Sequence, residues 1–151
     1  MSPGRRSHTN EYPNLIRIMR MANKIIEQEL CYKLNGLFFE VQNRLGRYLT
    51  EKQYADGLEF LFKEHQILYE REKEILIPFG EGKIGGNKVD FIIEGKIIID
   101  IKAKKYITKE DYLQMRRYLE AANLQVGLLV NFKSQSVTIK RVLSRVANPH
   151  N

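Results

Sequence analysis

The sequence holds one cysteine in 151 residues, Cys31, so no disulfide can form within the chain. That usage fits a reducing compartment. No apolar run approaches the ~18–20 residues of a membrane-spanning helix. The basic N-terminus lacks the apolar stretch of a secretion signal. A cytoplasmic protein with no membrane association is therefore expected. The three histidines, His8, His65 and His150, are scattered, and Cys31 has no CxxC partner, so a zinc site is not expected. Cys31 reads as a small buried hydrophobe rather than a nucleophile. The glycines at 80, 82, 85 and 86 do not form a phosphate-binding loop. The chain has no internal repeat and no second domain.

What is present suits one globular domain. The 43% hydrophobic and 28% charged residues are ordinary for such a domain, and the length allows a core without staples. The net charge of +7 is unevenly spread. Residues 1–24 carry five basic side chains against Glu11, a net +4, and the remainder carries 20 basic against 17 acidic. The folded part is only mildly basic, which is compatible with a polyanionic partner without requiring one.

Residues 1–13 are polar and turn-rich, and residues 1–22 read as a flexible basic segment. Met19 and Met21 make an internal start an expectation. A single domain is expected over 23–145, followed by a tail over 146–151. From about Asn23, Ile26, Leu30, Leu34, Leu37, Phe38, Val41 and Leu45 recur at helical spacing. Gly36 weakens this helix in its middle, and Gly46 ends it. Thr50 caps a second helix to about His65, with Gln53 three residues on. Its buried stripe is Tyr54, Leu58, Leu61 and Phe62, with Glu51 at the stripe's edge. Residues 67–79 read as a strand, and Gly80 to Gly86 as a flexible turn. Two strong strands follow, Lys88–Ile93 and Ile97–Ala103. Thr108 caps a helix over about Lys109–Ala122, with Tyr112, Met115, Leu119 and Ala122 inward. Two last strands fall at about 125–131 and 136–142. The order is α, α, β, β, β, α, β, β.

The informative stretch is the hairpin Val89-Asp90-Phe91-Ile92-Ile93 and Ile97-Ile98-Ile99-Asp100-Ile101-Lys102. Two aspartates and a lysine interrupt apolar strands, and a buried charge needs a partner or a metal. Asp100 and Lys102, two residues apart, share a face. Register decides whether Asp90 joins them. A two-residue loop at Glu94-Gly95 pairs Asp90 with Ile99 and turns it away. A three-residue loop pairs Ile93 with Ile97 and sets Asp90 opposite Asp100, with Gly95 or a neighbour left-handed. The three-residue register is expected. Opposed residues have Cβ atoms ~4.5–5.5 Å apart, and two carboxylates that close repel unless a cation lies between. Mg²⁺ or Mn²⁺ suits such oxygen donors, with Glu51 as a further ligand. The cation would polarise a phosphodiester and acidify a water, and Lys102 would orient that water or offset developing charge. A second reading stays open at this point, in which these residues form a buried ion-pair network without chemistry.

At these residues the chain resembles the PD-(D/E)xK phosphodiesterase superfamily. Its signature reads here as Asp90, nine residues, then Asp100-Ile101-Lys102, with Val89 where the proline would stand. More narrowly, the chain is similar to the GxxExxY family. That likeness runs through Leu45–Tyr54, with Glu51 and Tyr54 on the family's Glu and Tyr and Tyr48 where its Gly is expected. It continues through Gln114–Leu119 and Val126–Phe132. The resemblance implies a restriction-endonuclease-like αβββαβ core: a central mixed sheet flanked by helices, with an extra N-terminal helix. It implies Glu51, Asp90, Asp100 and Lys102 in the active site, and Gln114 as an auxiliary polar residue. Lys104, Lys105, Lys109, Arg116 and Arg117 follow the site and read as phosphate contacts. The expectation is a nuclease acting on nucleic acid, with DNA the favoured substrate, in a homodimer or larger assembly. The alternative is an inactive module of the same fold that binds nucleic acid or protein.

Overall fold

A computed structural model describes the backbone of residues 4–145 and the side chains of 14–145. The expected tail at 146–151 lies outside the described residues. The elements are α1 (Gly4–Leu45), α2 (Glu51–Glu64), β1 (Tyr69–Phe79), β2 (Gly82–Ile93), β3 (Ile97–Lys102), α3 (Lys109–Ala122), β4 (Val126–Asn131) and β5 (Thr138–Leu143). This is the order read from the sequence. No helix among the described residues is long and apolar enough to cross a membrane.

The chain groups into two units, residues 1–34 and 35–151. In the first, α1 begins at Gly4, well upstream of Asn23, where a flexible segment was expected. The difference has a physical cause. Apolar periodicity reports a buried face, and Leu15, Ile16, Ile18, Met19, Met21, Ile25 and Ile26 are all exposed. A helix that buries nothing leaves no such pattern. Cys31 is buried, as expected.

The second unit carries one five-stranded sheet in the order β1-β2-β3-β4-β5. Strands β3 and β4 are parallel, with α3 as the crossover between them, and the other neighbours are antiparallel. The β1–β2 hairpin corrects one expectation. Gly82, Gly85 and Gly86 lie inside β2 rather than in a flexible turn, and the chain reverses at Gly80-Glu81. The glycines serve an irregularity in the ladder between Ile75 and Ile77. There the Glu74 carboxylate accepts a hydrogen bond from Gly86 N at 3.2 Å, and a Cβ on Gly85 would collide with it.

Both helix starts that frame the sheet are capping boxes. Thr50 Oγ1 accepts from Gln53 N, and Thr50 N donates to Gln53 Oε1 at 2.9 Å. Thr108 and Asp111 repeat the arrangement at α3. Helix α3 ends on Asn123 in the left-handed conformation, φ 56°.

The sheet's central strands are apolar because both faces are covered. Met115, Tyr118 and Leu119 of α3 pack on Ile92, Ile98, Leu129 and Val142. Tyr112 and Ala122, expected inward, are half-buried at the margin of this cluster. A second aromatic cluster joins α2 to the sheet: Phe62 meets Phe91 edge-on at 5.0 Å, and Tyr54 stacks on Phe132 at 4.3 Å. Arg71 of β1 ties the same helix through Asp56 at 2.7 Å and Glu59 at 3.1 Å.

Gly127 sets how closely α3 approaches β4. A Cβ there would lie 2.4 Å from Met115 Sδ and 2.7 Å from its Cγ. Gly127→Val is expected to lower stability by about 1–3 kcal/mol through overpacking. Denaturant unfolding reads the change, and an unaltered midpoint would contradict the close packing.

Candidate active site

The site grows from the β2–β3 turn. Lys96 N donates to Ile93 O at 2.9 Å, and Glu94 and Gly95 both take positive φ, 53° and 64°. The strands then pair Ile93 with Ile97, Ile92 with Ile98 and Phe91 with Ile99, which is the three-residue register. One step further along each strand, beyond the last paired residues, come Asp90 and Asp100, on the face that carries Ile92 and Ile98. Asp100 bears electrostatically on the Asp90 carboxyl. Asp90 Oδ2 also accepts a hydrogen bond from Ile101 N at 2.6 Å.

The electrostatics are those of an acidic pair with no counter-charge between. Burial pushes the Asp90 carboxyl up to about 7; the Ile101 amide opposes this, while Asp100 and Glu51 add to it. Lys102 reaches Asp100 Oδ2 at 3.0 Å, as their shared face predicts. Burial draws its ammonium down, yet Asp100, Asp111 and Glu51 outweigh this and hold it above the ordinary lysine value.

Glu51 sits in the first turn of α2, exposed, and its Oε1 accepts from Ala103 N at 3.3 Å. It bears electrostatically on Asp90 and Lys102 without closing onto the pair. Among the described residues no three His, Cys, Asp or Glu side chains are grouped tightly enough to hold a metal ion by themselves. The acidic groups here are Asp90, Asp100 and Glu51, the last exposed. Two such carboxylates suit a hard divalent cation that keeps several waters.

Tyr54 does not turn to the site. Its hydroxyl donates to Gly46 O at 2.6 Å and accepts from Leu49 N, pinning the α1–α2 turn. Gln114 is half-buried on α3, between Asp111 and Tyr118 on one helical stripe. Tyr118 is 5% exposed, and its hydroxyl lies 3.5 Å from Asn87 Oδ1. Burial and Asp100 raise its pKa.

The basic residues divide. Lys105, Lys109 and Arg117 are exposed, and Lys105 Nζ lies over the Tyr106 ring. Arg116 is half-buried, with its Nε enclosed and lacking a hydrogen-bond partner. Lys104 is turned inward, with Nζ 2.5 Å from Asp111 Oδ2.

Two residues absent from the sequence reading support the site. Asn131, 2% exposed at the end of β4, accepts from Lys104 N and donates to Lys104 O at 2.7 Å. It thereby fastens the β3–α3 loop. Asp111 is nearly buried and holds both lysines. The signal for Asp111 was its place three residues after Thr108, the acidic half of a capping box. For Asn131 it was an amide closing an otherwise apolar strand.

No curated protein matches the chain. The crystal structure of SSO0001 superposes on 96% of this chain at 22% identity and a TM-score of 0.49, and this chain covers 63% of its length. The crystal structure of an alkaline exonuclease from Laribacter hongkongensis (LHK-Exo) superposes on 74% of the chain at 15% identity and a TM-score of 0.44, with 69% of its own length covered. Neither likeness carries weight here. The decisive match is to the family model described as the PD-(D/E)XK nuclease superfamily, over residues 28–142. That span takes in α2, α3, the C-terminal part of α1, the acidic hairpin and all of the sheet but the last residue of β5. The mixed five-stranded sheet flanked by helices is the restriction-endonuclease-like arrangement expected of it, and the chain belongs to the PD-(D/E)XK nuclease superfamily.

Proposed function

We propose that this protein is a divalent-cation-dependent nuclease, with DNA the favoured substrate and Mg²⁺ or Mn²⁺ the cation. The observation that carries the reading is the opposition of Asp90 and Asp100 with Lys102 beside them. Family membership supports hydrolysis of nucleic acid, and members of this superfamily typically use divalent metal ions. The likeness to GxxExxY proteins at Leu45–Tyr54 is part of the same proposal.

In this reading Asp90 and Asp100 hold the cation, and Glu51 contributes from the rim through water. A bound cation supplies Lewis acidity toward a phosphate oxygen and lowers the pKa of a water. Asp90 must give up its proton for the carboxylate pair to serve. Lys102 presents a fixed ammonium to the attacking water or to developing negative charge. Gln114, on the stripe facing Asp100, offers an amide for orienting substrate. Lys105, Lys109, Arg116 and Arg117 contact phosphates, and Lys104 contributes to local structure through Asp111.

Asp100→Ala and Lys102→Ala are each expected to reduce cleavage at least about a hundredfold. Their melting temperatures should stay close to that of the parent. Incubation with DNA and RNA in Mg²⁺, Mn²⁺ or chelator checks this. Metal-dependent cleavage retained in both variants would defeat the proposal. Salt-sensitive binding with no turnover in any divalent cation would favour an inactive nucleic-acid-binding module instead.

The acidic pair also predicts a pH dependence of stability. Asp90 titrates near 7 when folded, against an ordinary value of 3.8. Between those values the folded protein holds a proton that the unfolded chain has released, so stability falls as pH rises. Above about pH 7 the full penalty is present, on the order of 1–4 kcal/mol. In metal-free protein, Asp90→Asn should therefore raise the melting temperature at pH 8 and change it little near pH 4. A difference independent of pH would show that Asp90 is not held protonated in its buried setting.

A further inference from the structure

We infer that Asp111 is a positioning residue for Lys102, the group that keeps its ammonium aimed once Asp100 is occupied by a cation. The inference rests on the nuclease reading of Asp100 and Lys102. In the structure Lys102 has two anionic neighbours on its own side of the sheet, Asp100 Oδ2 at 3.0 Å and Asp111 Oδ1 at 3.8 Å. Asp100 cannot serve as full partner to a divalent cation and to the lysine together. When its oxygens turn to the cation, the shorter of the two ion pairs weakens. The anion left within ion-pair distance of Lys102 is then Asp111, with Glu51 acting from farther off.

The two oxygens of Asp111 have separate duties. Oδ2 accepts the Thr108 amide at 2.8 Å and takes the Lys104 ammonium at 2.5 Å. Oδ1 is the oxygen toward Lys102. The first set of bonds is local and structural, and it fixes where the second oxygen points. Lys104 is itself anchored, because Asn131 binds both its backbone N–H and its carbonyl. The carboxylate is thus held by helix, loop and strand at once. It is 8% exposed, so its attraction for Lys102 is little screened by water. A surface ion pair at 3.8 Å would be worth almost nothing; an anchored, nearly buried one can orient a side chain.

Asp111→Asn keeps the helix cap and removes the charge toward Lys102 and Lys104 alike. The amide oxygen can still accept from Thr108 N, so the start of α3 is preserved, while the charge facing Lys102 is lost. Asp100→Asn serves as a background in which Asp100 no longer holds the lysine as an anion. The readout is the mobility of the Lys102 ammonium, followed by ¹⁵N relaxation. In Asp100→Asn the ammonium should remain ordered. In Asp100→Asn/Asp111→Asn its order parameter should fall into the flexible range, below about 0.6. Asp100→Asn/Asp111→Glu should restore order, and it serves as the folded control should the double Asn variant melt early. Equal Lys102 mobility in Asp100→Asn and the double Asn variant would overturn the assignment. With Asp100 intact, Asp111→Asn should lower kcat on nucleic acid about tenfold with KM unchanged. Absence of cleavage by the parent protein would defeat the nuclease reading, and the relaxation measurement would still decide the role of Asp111.

Discussion

Like-charge opposition between Asp90 and Asp100 is the constraint around which the second unit is arranged. The pair exists because the β2–β3 turn holds three residues and pairs Ile93 with Ile97. A slip of one residue would send one carboxylate to the other face, since side chains alternate strictly along a strand. The apolar residues on either side enforce the register. Ile92 and Ile98 must meet α3, and Phe91 must meet Phe62. Core packing therefore buries an acid near the end of the hairpin with a second one beside it, at a cost that appears as the raised pKa of Asp90, through burial first and the neighbouring Asp100 second. Below about pH 7 Asp90 lowers that cost by keeping its proton.

The surroundings of the pair are fixed by polar clamps rather than by more apolar packing. Asn131 holds the β3–α3 loop, and Asp111 caps α3 while reaching the lysines. Gln42 of α1 plays a similar part in the β4–β5 connection that follows Asn131. Its Nε2 donates to Phe132 O and Ser134 O, each at 2.9 Å, and its Oε1 accepts from Val137 N at 2.7 Å. Each of these side chains satisfies backbone groups that a loop would otherwise leave bare, and each is buried. Loops beside the acidic pair are thereby held as firmly as strands, which a site needing fixed donor geometry requires.

Much of this could be read from the chain. The apolar runs around Asp90 and Asp100 gave two strands, and Glu94-Gly95-Lys96 gave their register. Thr50 and Thr108 gave both helix starts. What escaped the reading has physical reasons. The upstream part of α1 buries no face, so periodicity was silent about it. The glycines of β2 read as a turn because glycine disfavours strands; the Glu74–Gly86 contact that uses them joins residues on two strands. Glu51, placed at the edge of the α2 stripe by its spacing, also accepts a hydrogen bond from Ala103 N, a contact between residues far apart in the chain. The Lys104 ion pair with Asp111 also escaped the reading, because charge pattern does not show which anion a lysine meets. Asp111, which draws it inward, lies seven residues away.

Calorimetric titration of the metal-free protein with Mn²⁺ at pH 6.5, repeated in buffers of different ionisation enthalpy, tests the central claim directly. The account predicts saturable binding at one site with release of a proton from Asp90, and loss of both in Asp100→Ala. Absence of saturable binding, or binding unchanged by Asp100→Ala, would show that the opposed carboxylates are not a cation site.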